Sequence, residues 1–305
     1  MCTCSEGMSR RQAMLAVAGA AAAFATGAIP LGWARAADGK TKKVLFFTKS
    51  AGFQHSVVTR KGNELAHAEK IFMELGKKHG FDVTVTKDGS IFTPEKLADF
   101  DVIAFYTTGD LTSDKEGDKV TPMPKGGKEA LLDFVRKGKG FVGFHCATDT
   151  FHSQGSSVDP YIRMVGAEFK SHGSQQEARI YPAPNGAFAP IKEIKEFKLT
   201  EEWYEFRNFN PDMHVILVQD TQSMKDKQYT GQPNYPETWA RKEEKGRVFY
   251  TSLGHREDVW TNELFHGILL GGLSWAAGNV EADVPSNFKE ATPGAMERAI
   301  KDGTA

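Results

Sequence analysis

Four short apolar stretches constrain this chain most: Val44-Leu45-Phe46-Phe47-Thr48, Asp101 to Thr107, Phe141 to Phe144 and Arg247 to Leu253. Runs this short and this unbroken suit parallel strands buried on both faces, and parallel strands must be joined by crossovers, usually helices. The chain supplies them. Lys61 to Gly80 carries Leu65, Ala68, Ile71, Phe72 and Leu75 at helical spacing and stops at Gly80; Thr93-Pro94-Glu95-Lys96-Leu97 opens a short helix on a capping threonine; Lys125 to Lys137 reads as a third. With the alternating strand Phe81 to Thr86, the order is β-α-β-α-β-α-β. The predicted fold class is α/β: a doubly wound, mostly parallel sheet with helices on both faces, in one elaborated domain over residues 43–281.

The second half is less regular. Tyr161 to Val165 reads as a helix, Glu177 to Tyr181 and Val215 to Val218 as strands, and Pro182 to Pro190 as a loop. Phe197 to Phe206 mixes acidic and aromatic residues, Pro236 to Arg241 leads into a strand, and Phe265 to Ala277 closes the fold as a helix. Residues 282–305 are expected to form a polar tail that drapes over the surface or frays.

The first 36 residues stand apart. Ser9-Arg10-Arg11-Gln12 precedes an Ala-rich apolar stretch, Ala13 to Leu31, and Ala34-Arg35-Ala36 forms a small-x-small cleavage site. Such a segment reads as a bacterial twin-arginine export signal, against the alternatives of an ordinary secretory signal or an uncleaved anchor. The expected location is the periplasm or the exterior, with no membrane span in the mature protein. Cys2 and Cys4 would leave with the signal, so Cys146 is the one thiol of the mature chain and no internal disulfide can form. The formal charge of −1, without a basic cluster interleaved with aromatics, argues against nucleic acid as a partner.

Chemistry concentrates where strands end. Gly143-Phe144-His145-Cys146-Ala147 is a strand running into a turn of small residues, the arrangement that pushes one polar side chain into a cleft, and that side chain is His145. An imidazole there suits a metal ligand or a proton carrier. His255 follows Gly254 at the end of the last apolar run, and His55 follows the first. Glu202 and Tyr204, two apart, share a face on an extended stretch. The candidate catalytic residues are therefore His145, Glu202, Tyr204 and His255. Candidate metal ligands are His55, His145, His172 and His255, a set suited to a divalent ion such as Zn²⁺ or Mn²⁺; no nucleotide cofactor is expected. Thr108, Gly109 and Asp149 fall at carboxyl ends of strands, and Phe53, Trp203 and Trp260 offer aromatic faces to a sugar, which makes these six the candidate substrate-binding residues. A structural role is the alternative for each, above all for His172, Asp149, Glu202 and Tyr204. His67, His79, His214 and His266 read as structural.

Taken together, Thr48-Lys49-Ser50-Ala51-Gly52-Phe53-Gln54-His55-Ser56, Gly143 to Phe151, Glu201-Glu202-Trp203-Tyr204, Trp239 with Gly246-Arg247-Val248-Phe249-Tyr250, Leu253-Gly254-His255 and Gly271 to Gly278 resemble the ThuA-like, or trehalose utilisation, family. The resemblance implies a class I glutamine amidotransferase-like fold. In that fold the elbow position carries an attacking thiolate; here it is His145, with Cys146 one residue later, so amidotransferase activity is not expected. The resemblance further implies carbohydrate metabolism. It points to keto-sugars made by an exported sugar dehydrogenase, a possible partner, and to a lyase, hydrolase or isomerase acting on 3-keto-glycosides. A non-catalytic carbohydrate-binding protein is the other reading.

Overall fold

The computed structural model describes residues 40–114 and 117–301; the expected export signal lies outside the described residues. In β1 (Lys42–Phe47), Val44 and Phe46 enter one apolar layer and Leu45 and Phe47 the other, the two-residue period of a strand covered on both faces. Then follow α1 (His67–His79), β2 (Phe81–Thr86), α2 (Pro94–Leu97), β3 (Val102–Phe105), α3 (Gly127–Arg136) and β4 (Gly140–Phe144). The second half contains α4 (Pro160–Val165), β5 (Glu168–His172), β6 (Gln176–Pro182), β7 (Phe197–Glu201), β8 (Tyr204–Arg207) and β9 (His214–Asp220). It ends with β10 (Tyr235–Glu243), β11 (Gly246–Thr251), α5 (Glu257–Trp260), α6 (Glu263–Ala276), α7 (Phe288–Ala291) and α8 (Pro293–Lys301).

The main sheet has 9 strands in the order β2-β1-β3-β4-β11-β10-β9-β6-β7. From β2 to β11 every pairing is parallel, and the four strands beyond β11 are added antiparallel, so only β10 and β6 run against the rest. The doubly wound, mostly parallel architecture is thus the one observed. Helices α1, α5 and α6 cover one face, and α2, α3, α4, α7 and α8 the other. Approach of α6 to the sheet is close enough that a Cβ on Gly272 would lie 2.3 Å from the Phe249 ring, so only glycine fits there. Strands β5 and β8 form a separate two-stranded sheet in which His172 pairs with Tyr204.

Three boundaries differ from expectation. Helix α1 begins at His67 rather than Lys61, because the buried Glu69 carboxylate reaches back to the Ala66 N–H (2.8 Å) and there starts the helix. Thr48 Oγ1 and Arg60 Nε donate to the same carboxylate, which fastens the segment before the helix to the sheet. The acidic and aromatic stretch from Phe197 is broken into β7 and β8, with Glu202 and Trp203 between them. The expected surface tail is instead anchored: Phe288 is 0% exposed and Ala295 1%, both in the core, and Asn287 exchanges hydrogen bonds with the Val215 backbone. Among the described residues no helix is long and apolar enough to cross a membrane.

Phe288→Ala should lower stability by about 3–5 kcal/mol, the usual cost of emptying a buried phenylalanine site. Urea unfolding of the two proteins measures it; a loss below about 1 kcal/mol would mean that the C-terminal helices are not docked.

Candidate functional site

Register brings the site together. Phe144 pairs with Thr251 across β4 and β11, so His145 and Ser252 leave the sheet side by side. His145 has φ +42, a left-handed conformation that costs a non-glycine residue of order 1–3 kcal/mol and must be held by its surroundings. Tyr250 Oη donates to the His145 carbonyl at 2.6 Å, and Tyr161 Oη to that of Ala147 at 2.8 Å. The His145 ring folds back so that Nδ1–H donates to the Ser252 carbonyl at 2.8 Å. Ser252 in turn is gripped by the buried Glu237 carboxylate, which accepts its N–H and its hydroxyl, each at 3.1 Å.

With its proton on Nδ1, His145 presents a bare Nε2 to the cleft. Tyr204 Oη donates to that nitrogen at 2.9 Å; His255 Nδ1 lies 3.2 Å and Glu202 Oε2 3.4 Å from it. His255 Nδ1 also meets Glu202 Oε2 at 3.1 Å. The His55 ring stands edge-on to both imidazoles, with centroids 5.0 Å from His145 and 5.1 Å from His255. One donor atom from each of His55, His145, Glu202 and His255 falls within 4.8 Å of all the others, close to the roughly 4 Å span across an ion bound at about 2 Å. His55 Nδ1 is buried with no hydrogen-bond partner among the described residues, an arrangement that ordinarily costs free energy. These residues therefore fit a divalent cation: neutral imidazole nitrogens, one carboxylate, an orphaned buried nitrogen, and for His145 a second ring N–H tied to a backbone carbonyl, as metal-bound histidines require.

The electrostatics agree. Burial drives the His55 imidazole down to about 2, with His145 and His255 adding to the effect. Burial lowers His145 as well, against the opposing pull of Glu202. Both rings are neutral lone-pair donors at neutral pH. Burial alone would raise Glu202, but its pairing with the imidazoles it faces, His255 Nδ1 the nearer at 3.1 Å, outweighs it and holds the carboxyl well below the usual range. The Tyr204 phenol is pushed far up, chiefly by burial, and stays a donor.

Several candidates lie elsewhere. His172 is not in the four-donor group; it sits half-exposed at the end of β5, with Nδ1 2.9 Å from the Gly173 carbonyl and 3.3 Å from Glu202 Oε1, so Glu202 stands where His172 was expected. Trp203 and Trp260 are corrected: both are 0% exposed, with indole N–H groups donated to the Gln176 and Gly254 carbonyls, and offer no face to a ligand. Thr108 and Gly109 act one layer back. Thr108 Oγ1 donates to the Phe53 carbonyl (2.8 Å) and accepts the Gly52 N–H (3.2 Å), while Gly109, at φ +72, leaves no room for a Cβ against Ala51 and Gly52. This bracing presents Phe53, 68% exposed, edge-on to His55 with ring centroids 4.9 Å apart. Asp149 turns away to pair with His152 Nε2 at 2.7 Å, beside a separate cleft of about 620 Å³ lined by Asp110, Lys128, Phe151, His152 and Asp159. Lys128 pairs with Asp159 there, and the four-donor group lies outside that cleft. Sequence reasoning did not find Glu237 or Glu201 as parts of the site, since no local pattern marks a carboxylate that binds backbone N–H groups from distant segments.

A doubly wound sheet with a histidine at the elbow after β4, and His55, Glu202 and His255 gathered around it, defines an α/β protein whose elbow presents an imidazole while the neighbouring thiol, Cys146, is buried. The chain belongs to the ThuA family, described by trehalose utilisation, whose model matches residues 43–276. It is similar in fold to a ThuA-like protein from Parabacteroides merdae (20% identity, TM-score 0.60, covering 82% of this chain and 95% of that one). A ThuA-like protein from Bacteroides uniformis is likewise similar (19% identity, TM-score 0.55, covering 77% and 91%). No curated protein matches the sequence.

Cys146 is 1% exposed, and burial raises its thiol well above the ordinary value. A thiol reagent should therefore leave Cys146 unmodified in the native protein and label it only on unfolding; rapid native labelling of Cys146 would restore a thiolate to the site. The His152 imidazole is raised to about 9 by hydrogen bonds to Asp149 and Glu168. Its stabilising contribution is full below about 6.5 and is lost as pH climbs through 9. The melting-temperature advantage of the wild type over His152→Gln should shrink across that window, and a constant advantage would contradict the pairing.

Proposed function

We propose that the protein is a divalent-metal-dependent enzyme of carbohydrate metabolism that acts on oxidised, 3-keto glycosides, removing the proton beside the carbonyl. The observation that carries this reading is the four-donor group beside a buried phenol, Tyr204 Oη lying 2.9 Å from His145 Nε2; a cation on that nitrogen would take its lone pair and leave the phenol proton for the substrate. His55, His145, His255 and Glu202 would hold Zn²⁺ or Mn²⁺, which when bound supplies a Lewis acid for a carbonyl or enediolate oxygen.

The proton chemistry rests on the chain's own groups. A carbonyl at C3 acidifies the C2 proton, and loss of that proton leaves its electron pair in an enediolate. Glu202, ionised and with Oε1 turned toward half-exposed His172, is the base placed to take it. Tyr204, which keeps its proton, is the donor placed to stabilise developing negative charge on the sugar oxygen. Collapse of the enediolate with departure of the C1 substituent, which leaves with a proton, cleaves the glycoside; return of a proton to C2 from the opposite face epimerises that centre, and return to C3 moves the carbonyl to C2. Phe53, exposed at the rim, offers its ring to the apolar face of the sugar. A periplasmic or secreted location and an exported sugar dehydrogenase as partner belong to the same proposal, since a dehydrogenase is the class of reaction that makes such a substrate.

His145→Ala should abolish turnover of a 3-keto-glucoside and weaken Zn²⁺ or Mn²⁺ binding by at least about tenfold, while the melting temperature in the absence of metal changes little. Product formation, calorimetric metal titration and thermal melting of wild type and variant check this. Normal turnover by the variant would place the chemistry elsewhere. A wild type that binds the keto-sugar without converting it would make the protein a carbohydrate-binding one.

A further inference from the structure

One carboxylate touches both of the chain segments that deliver Glu202 and His255. Glu201, the last residue of β7, is fully buried, and its Oε1 accepts the N–H of Glu202 at 3.1 Å and of His255 at 3.0 Å. The Gly254 N–H is directed at the same group. Gly254 has φ +120, a left-handed conformation open to glycine, and successive N–H groups around such a residue turn to one side and form a concave site for an anion. Here that site is filled from within the chain, by a residue 54 positions away.

Burying a carboxyl group is costly, and the cost is offset only by what the group binds. Glu201 Oε2 is buried with no partner among the described residues, so the backbone N–H groups held by Oε1 are what fixes this side chain. The geometric consequence falls on Glu202 and His255, whose backbones meet on one oxygen atom and whose side chains meet at 3.1 Å.

We propose that Glu201 is a positioning residue: by tying the backbone of Glu202 to that of His255 it sets the separation of these two donors and their approach to His145. The part of this inference that concerns metal affinity rests on the metal reading above; the part that concerns imidazole placement does not.

Imidazole-detected NMR of metal-free wild type, Glu201→Gln and Glu201→Leu, followed by Co²⁺ titration of each, tests it. Gln keeps a carbonyl acceptor for the two N–H groups, so its His145 and His255 signals should stay in place and its Co²⁺ affinity should remain within about threefold of wild type. Leu removes the acceptor: the His145 and His255 signals should move while those of His79 and His214 do not, and Co²⁺ affinity should fall by at least about tenfold, the usual scale for loss of a group that orients a ligand. A folded Glu201→Leu with unmoved His145 and His255 signals would overturn the proposal. If wild type takes up no Co²⁺, the metal reading fails and the imidazole signals alone decide the role of Glu201. Should the Leu variant not fold, amide exchange in the wild type decides: slow exchange of the Glu202 and His255 N–H groups supports the tie, and exchange at the rate of exposed loops contradicts it.

Discussion

The hydrogen bond from His145 Nδ1 to the Ser252 carbonyl is the contact on which the site depends. It fixes the tautomer, and with it the direction of the one lone pair around which Tyr204, Glu202 and His255 gather. A strained φ at His145 is needed to aim the ring, and the parallel register of β4 with β11 is needed to put Ser252 within reach. The bond thus converts sheet geometry into chemistry: shifting that register by one residue would separate the imidazole from its acceptor and turn alternate side chains to the opposite face.

Around this bond the protein buries several carboxyl groups, and each has a distinct partner set. Glu237 holds Ser252 and Thr251. Glu201 holds the Glu202 and His255 backbones. Glu202 alone turns its carboxylate to the imidazoles. Burial raises Glu201 to about 8 and also raises Glu237, whereas Glu202 is held low by the histidines it faces. Adjacent glutamates are therefore driven in opposite directions by their surroundings, Glu201 upward by burial and Glu202 downward by the imidazoles it faces. Such a separation of neighbouring titratable groups is a mark of sites that handle protons or cations.

Much of this was legible in the sequence because parallel strands write their burial plainly. Val44–Phe47 and Phe141–Phe144 have no polar face to confuse the reading, and a histidine directly after such a run, beside small residues, has few places to go but a cleft. What escaped notice was set by long-range packing. Trp203 and Trp260 have the composition of sugar platforms, yet their bulk fills the interior, and aromatic content alone does not separate the two uses. The C-terminal segment left a signal that its polar neighbours masked: Phe288 and Ala291, at i and i+3, are the inward positions of α7, and Ala295 is the inward position that opens α8. His172 was expected among the metal ligands, but it pairs with Tyr204 at the end of the small β5–β8 sheet, while Glu202, expected to be catalytic and placed just before β8, joins the imidazoles.

The central claim is that His55, His145, His255 and Glu202 form one cation site. Anomalous scattering from a crystal grown with Mn²⁺, collected on either side of the manganese edge, tests it most directly. A single strong peak among those four side chains, with His145 Nδ1 still bonded to the Ser252 carbonyl, is the expected result. A map with no peak there, or with manganese bound only in the cleft around Asp110 and Asp159, would contradict it.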